Sequence, residues 1–137
     1  MADLTPDSRR RWFGLSLVFA PLWPSKEQRM LRKELKTRPK LDDKEFYEHF
    51  YRDSGVSAAI PIVIRRELEM AMGLDLGGLL PHDNLQIIDG EIDLADVFFR
   101  LKRVFSIEIP RRRWHEIDGT FDSLVNFVAQ ANPTIRR

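Results

Sequence analysis

A chain of 137 residues is long enough for one domain and an extension, but too short for two independent cores. With 43% hydrophobic and 31% charged residues, its composition is that of a globular protein and excludes a wholly disordered chain or a bundle of membrane spans. Because there is no cysteine, disulfides, thiolate metal sites and cysteine nucleophiles are excluded as well.

The net charge of +1 hides a difference between two parts of the chain. Residues 1–44 carry 11 Lys and Arg against 6 Asp and Glu, whereas residues 45–137 carry 11 against 15. With the patterns described below, this predicts a basic N-terminal extension over residues 1–55, a helical domain over residues 56–131 and a C-terminal tail over residues 132–137.

The first feature in chain order is an apolar segment, residues 12–23, which follows three arginines. No small-residue cleavage site follows it, and as a helix it would cover about 18 Å of a roughly 30 Å hydrocarbon core, so it is neither an export signal nor a span. It is an anchor in the membrane interface, a flap on the domain's own surface, or a stretch without fixed structure. The candidate membrane contacts are Arg9, Arg10, Arg11, Trp12, Phe13 and Trp23.

Two short helices are predicted in the rest of the extension. Ser25 has the pattern of an N-cap for a helix that ends near Lys36. The second helix begins at Asp42 or Asp43, where Glu45 completes a capping box. It carries an aromatic stripe that we interpret as packing: Phe46, Tyr47, Phe50 and Tyr51.

The domain opens with an amphipathic helix that has Pro61 in its first turn and ends at Gly73. Its charged residues are predicted on the solvent side: Arg65, Arg66, Glu67 and Glu69. From residue 74 to residue 92, turn-forming residues are so dense that we predict a connection without regular structure. Leucines and isoleucines of this connection pin it onto the core.

Three more helical segments complete the domain. Residues 93–105 form an amphipathic helix capped by Asp93, residues 111–117 a short turn of helix, and Thr120 caps a last helix that Asn132 and Pro133 stop. The predicted core consists of Ile64, Leu68, Leu94, Val97, Phe98, Leu101, Phe105, Ile109, Phe121, Leu124 and Val128.

This order of elements resembles that of acyl carrier proteins, and the resemblance extends to residues over roughly 56–131. Residues 81–85, Pro-His-Asp-Asn-Leu, look like the carrier loop Pro-Asp-Asp-Asn-Leu, and without a gap Gly90 falls on the glycine before the carrier's Asp-Ser-Leu. Residues 104–110, Val-Phe-Ser-Ile-Glu-Ile-Pro, look like the carrier's Glu-Phe-Gly-Ile-Glu-Ile-Pro. The resemblance implies an all-α four-helix bundle with three main helices and one short helix.

In this register Asp93, flanked by Ile92 and Leu94, takes the position of the serine that bears phosphopantetheine in the family. A carboxylate forms no stable phosphodiester there, and its charge repels the incoming diphosphate. We therefore expect no phosphopantetheine, no other cofactor and no catalytic residues. Asp122-Ser123-Leu124 spells the carrier motif, but too few residues follow it for two further helices, so Ser123 is interpreted as an ordinary first-turn residue.

The helix after Asp93 also departs from the family, which typically shows an acidic helix to basic enzymes. Here that helix is basic, so a docking partner should be acidic or apolar, although a merely solvated basic face fits the pattern equally well. The candidate partner face consists of Leu94, Phe99, Arg100, Lys102 and Arg103.

The leading hypothesis is thus a non-enzymatic, unmodified relative of the carriers that works as a protein-interaction or regulatory module, cytoplasmic and with a candidate membrane contact. A genuine acyl or peptidyl carrier is the first alternative. Nucleic-acid binding is the second, disfavoured because the isoelectric point near 8.1 lies below the value of about 9 usual for such domains. His49, His82 and His115 lie in separate segments without metal-binding spacing.

Overall fold

The computed structural model describes residues 25–131, which form helices joined by turns and loops. Within this range there is no β-strand, and an isolated antiparallel bridge joins Asn84 to Thr120. The predicted all-α class is confirmed. In chain order the helices are α1 Lys26–Thr37, α2 Asp43–Phe50, α3 Ala59–Met72, α4 Leu85–Ile88, α5 Leu94–Phe105, a 3-10 helix Arg111–Glu116, and α6 Phe121–Ala131.

The helix ends lie close to the predicted positions because local caps specify them. At the start of α2, Asp42 Oδ1 accepts from the Glu45 amide at 2.8 Å and Glu45 Oε1 accepts from the Asp42 amide at 2.9 Å, a complete capping box. Before α1, Ser25 Oγ accepts from the Gln28 amide at 3.1 Å. Gly73 ends α3 in the left-handed conformation with φ 67°.

One hydrophobic core unites side chains from both parts of the chain. Phe46 of α2 packs edge-on against Phe121 of α6 with ring centroids 5.5 Å apart, and both are fully buried. Residues 31–131 belong to one compact unit. The core therefore includes side chains from both sides of residue 55.

Most of the predicted core side chains are buried, and three lie at its edge. Leu94, Phe105 and Ile109 are only partly buried, because they pack against the core from outside. The predicted pinning of the connection after α3 is confirmed by Leu79 and Leu85, which are completely buried.

The connection between α3 and α5 contains one turn of helix, α4, so the prediction of no regular structure was wrong. Asn84 has an extended backbone, and its Oδ1 accepts from the amides of Gln86 at 2.9 Å and Ile87 at 3.2 Å. A side-chain cap of this kind starts a helix even among turn-forming residues.

Arg65 is buried, with 5% of its surface exposed, although the charge pattern of α3 predicted it on the solvent side. Its guanidinium carbon lies 4.3 Å from the centroid of the Phe46 ring, and its Nη2 donates to Asp43 Oδ1 at 3.1 Å. Burial acts to raise the pKa of Asp43, but hydrogen bonds from Arg66 and Arg65 outweigh it and hold that pKa below its ordinary value. The burial of Arg65 therefore follows from the packing of α2 on α3.

Candidate functional site: the start and outer face of helix α5

Asp93 is the N-cap of α5, as predicted, and its side chain is exposed. Its Oδ1 accepts from the Ala95 amide at 3.0 Å and from the Asp96 amide at 3.3 Å. Both hydrogen bonds stay within the first turn of its own helix, where a carboxylate also interacts favourably with the helix dipole. Ile92 and Leu94, on either side, are partly buried against the core.

The outer face of α5, defined here as Phe99, Lys102, Arg103 and Val104, combines apolar and basic side chains. Phe99 exposes 62% of its surface and Val104 exposes 44%. The Arg103 guanidinium carbon lies 5.8 Å from the centroid of the Phe99 ring, within the range of a cation–π contact. This face therefore presents an exposed aromatic ring beside positive charge.

Two members of the candidate partner face are tied to the bundle instead. Leu94 packs against the core. Arg100 donates from Nε to Asp96 Oδ2 at 3.0 Å and from Nη1 to Glu67 Oε1 of α3 at 3.5 Å. The hydrogen bond to Asp96 is the main reason why the pKa of Arg100 is raised. Its charge is thus already balanced by two carboxylates.

Ser123, the serine of the second carrier-like tripeptide, lies in the first turn of α6, as predicted. Its Oγ accepts from the Asp118 amide at 3.0 Å, and its own amide donates to Thr120 Oγ1 at 3.1 Å, which confirms Thr120 as the cap. Its neighbour Asp122 accepts from the Tyr51 hydroxyl at 2.8 Å. Burial, with the hydrogen bond to Asp122 and that residue's charge, raises the pKa of Tyr51.

The basic 3-10 helix uses its side chains for packing. The Trp114 ring lies edge-on to Phe98 with centroids 4.7 Å apart, and the Arg111 guanidinium carbon lies 5.0 Å from the Trp114 ring. Arg113 pairs with Glu116 at 2.8 Å. Arg111 and Arg113 are therefore engaged locally, which gives nucleic-acid binding by this helix little support.

The remaining candidates are not brought together. His49, His82 and His115 are exposed on separate segments, and residues 25–131 contain no group of three side chains placed to hold a metal ion. In the same range no helix combines the length and the apolar character needed to cross a bilayer. The candidate membrane contacts lie outside the described residues: Arg9, Arg10, Arg11, Trp12, Phe13 and Trp23.

The buried ion pair between Arg38 and Asp83 was not predicted from the sequence. Asp83, in the carrier-like loop, accepts from Arg38 Nη1 at 2.6 Å, from Arg38 Nη2 at 3.3 Å and from the Leu80 amide at 2.8 Å. The two partners are 45 residues apart, so no local spacing connects them. The presence of an acid in a loop rich in leucine was the one available signal.

Comparisons with protein-family models, with curated proteins and with solved structures give no significant match for this chain. The resemblance to acyl carrier proteins therefore depends on the residues of the loop, of the start of α5 and of the segment 104–110.

Proposed function

We propose that this chain is a non-enzymatic relative of the acyl carrier proteins that bears no prosthetic group and works as a protein-interaction or regulatory module. The observation that carries the proposal is the position of Asp93 and the role of its carboxylate as a helix cap. In the register of the resemblance it stands where the family has its modified serine, and its carboxylate caps the following helix. A carboxylate at this position offers no hydroxyl for a stable phosphodiester.

The order of elements after residue 56 supports a carrier-like bundle. α3 is followed by a long pinned loop, then by α5, the 3-10 helix and α6. α3 contacts both α5 and α6, as the first helix of a small antiparallel bundle does. Since fold alone does not fix function, the role is argued from the chemistry of the site.

Intact-mass measurement after incubation with a phosphopantetheinyl transferase and coenzyme A tests the missing attachment. We expect the mass to stay unchanged, whereas transfer of the arm adds about 340 Da. A working carrier protein in the same reaction shows that the enzyme is active. An added arm would refute the proposal in favour of a genuine carrier, and its loss in Ser123→Ala would locate it at the second tripeptide.

The interaction is assigned to the outer face of α5. Exposed Phe99 supplies an apolar centre and Arg103 a positive charge beside it. Lys102, on the same face, pairs with the exposed Glu108 at 3.5 Å and adds less free charge. Aromatic side chains with a charged rim are typical anchors of protein interfaces, and the charge fits an acidic partner.

Quantitative pull-down, followed by calorimetry with the isolated partner, tests this assignment. The variants are Phe99→Ala, which removes the aromatic anchor, and Arg103→Glu, which reverses one charge of the rim. Met70→Ala on α3 is the matched control, because Met70 is also an exposed large apolar residue. We expect each α5 variant to weaken binding about tenfold or more and the control to leave it unchanged. Equal binding by all of them would place the interface elsewhere.

An association with anionic membranes is proposed for the apolar segment 12–23 on its sequence alone. Flotation with anionic liposomes, of the full chain and of a chain lacking residues 1–24, tests this association. We expect the full chain to float with the liposomes and the shorter chain to remain at the bottom of the gradient. Equal flotation of both chains rejects the anchor and leaves the α5 proposal untouched.

A further inference from the structure

A pocket of about 280 Å³ lies where the residues after α1 meet the loop that follows α3. Its walls are mainly apolar, since Leu41, Phe50, Leu79 and Leu80 line it. Exposed His49 also lines it, so the pocket reaches the surface. An apolar cavity of roughly 150 Å³ accepts benzene, and this pocket therefore has room for a ring with a short substituent.

The walls of the pocket are fixed by hydrogen bonds that need no ligand. The Leu41 amide donates to Gly77 O at 2.9 Å, and Arg38 Nη1 donates to Gly78 O at 3.1 Å. A Cβ at Gly78 would lie 2.7 Å from the carbonyl oxygen of Leu35, so the loop approaches α1 more closely than any other residue type allows. A site formed in advance loses little affinity to the ordering of its walls.

The polar side of the pocket is defined by the hydrogen bonds that Arg38 donates. Nη1 donates to Asp83 and to Gly78 O, and Nη2 donates to Asp83 and to Glu34. A guanidinium has five N–H groups, which leaves Nε without a partner among the described residues. The two carboxylates more than balance the positive charge of Arg38, so an anionic ligand gains little here.

We infer that this pocket binds a small neutral molecule with an aromatic or branched apolar body and one hydrogen-bond acceptor. The apolar walls take the body, and Arg38 Nε and the His49 ring donate to the acceptor. The pocket shares no residue with the outer face of α5, so this site stands or falls independently of the proposed interaction.

Titration of the ¹⁵N-labelled full chain with phenylacetamide tests the site. This probe has a ring, one methylene and a carbonyl acceptor, and phenylacetate has the same shape with a carboxylate. We expect saturable shifts of the Gly77 and Gly78 amide signals with a Kd of about 1 mM, and binding of phenylacetate weaker by about fivefold or more. The Gly119 amide, in another part of the chain, should stay in place.

Two variants separate pocket binding from surface binding. Leu41→Trp fills the pocket and should abolish the shifts, whereas Met70→Trp adds the same side chain at an exposed site of α3 and should retain them. His49→Ala, at the exposed rim, should weaken binding about threefold and keeps the test decisive if Leu41→Trp does not fold. The inference is overturned by absence of shifts at about 10 mM probe, by unchanged shifts in folded Leu41→Trp or in His49→Ala, or by phenylacetate binding as tightly as the amide.

Discussion

The starts of α5 and α6 carry the tripeptides Ile92-Asp93-Leu94 and Asp122-Ser123-Leu124, which share only their leucine and lie in different surroundings. At α5, Asp93 is exposed, and its carboxylate bonds only to amides of the first turn among the described residues. At α6, the Ser123 hydroxyl accepts from the Asp118 amide, and Asp122 accepts from the buried Tyr51 hydroxyl that follows α2. One start is held by its own helix, and the other is tied to the bundle.

This difference shows that a sequence motif alone does not define a functional site. The start of α6 spells Asp-Ser-Leu, but its serine already holds the turn that leads into the helix. At the start of α5, by contrast, Asp93 is exposed and bonds to amides of its own first turn. Exposure and hydrogen bonding therefore decide what each residue does, and at the start of α5 Asp93 caps its own helix.

The largest effect is expected from Asp122→Ala. Tyr51 is only 3% exposed, and the variant leaves its hydroxyl without the acceptor at 2.8 Å. An unpaired buried polar group lowers the free energy of unfolding by about 2 kcal/mol, measured by urea denaturation. Tyr51→Phe removes the hydroxyl itself and should have a smaller effect. Equal effects of the two variants would show that the start of α6 does not depend on this bond.

The next largest loss of stability is expected at Gly119, the glycine that precedes α6. Gly119, just before α6, has φ 94°, which side chains rarely adopt, so Gly119→Ala should lower the free energy of unfolding by about 1.5 kcal/mol. Gly90, just before α5, has no positive φ, and a Cβ there would come no closer than 3.8 Å to the Gln86 carbonyl oxygen. Gly90→Ala is therefore the matched control, and a similar loss of stability in it would contradict the contrast between the two starts.

Substitutions of Asp93 should have smaller effects. Loss of an N-cap lowers the free energy of unfolding by about 1 kcal/mol, so we expect this from Asp93→Ala in urea denaturation. Asp93→Ser should be nearly neutral, because a serine hydroxyl caps a helix about as well as a carboxylate does. A loss in Asp93→Ser as large as that in Asp93→Ala would show that the carboxylate does more than cap the first turn.

Much of the helical framework could be predicted because helix ends are signalled locally. Asp42 with Glu45, Asp93 and Gly73 all act within a few residues of themselves, so the sequence contains both partners of each cap. The same locality explains why the N-cap at Asp93 could be predicted. The capping role of Asp93 needs no information from another element.

The failures share a different cause, which is pairing between distant residues. Arg65 has the charge of a surface residue, and only Asp43 and Phe46, on another helix, explain its burial. Arg38, which lines the pocket, pairs with Asp83 across 45 positions, and the other walls also come from segments that are far apart in the chain. Hydrophobic periodicity and composition contain no information about contacts between distant residues, so neither the ion pair nor the pocket could be predicted.

The smallest effect is expected at Asp118, whose amide donates to Ser123 Oγ. Its carboxylate accepts from the Thr120 amide at 2.9 Å and from the Thr120 hydroxyl at 2.7 Å, and these bonds lower the pKa of Asp118. Because the folded pKa lies below the unfolded value of about 3.9, the stabilisation is complete above that value and is lost as the pH falls through the folded pKa.

Asp118→Asn keeps the shape and an acceptor oxygen but removes this titration. The difference in free energy of unfolding between the natural chain and the variant should therefore shrink as the pH is lowered from about 6 to about 2.5, measured by urea denaturation at each pH. A difference that stays constant over that range would show that the negative charge of Asp118 plays no part in holding the start of α6. The contrast with α5 would then rest on Tyr51, Asp122 and the Ser123 hydroxyl alone.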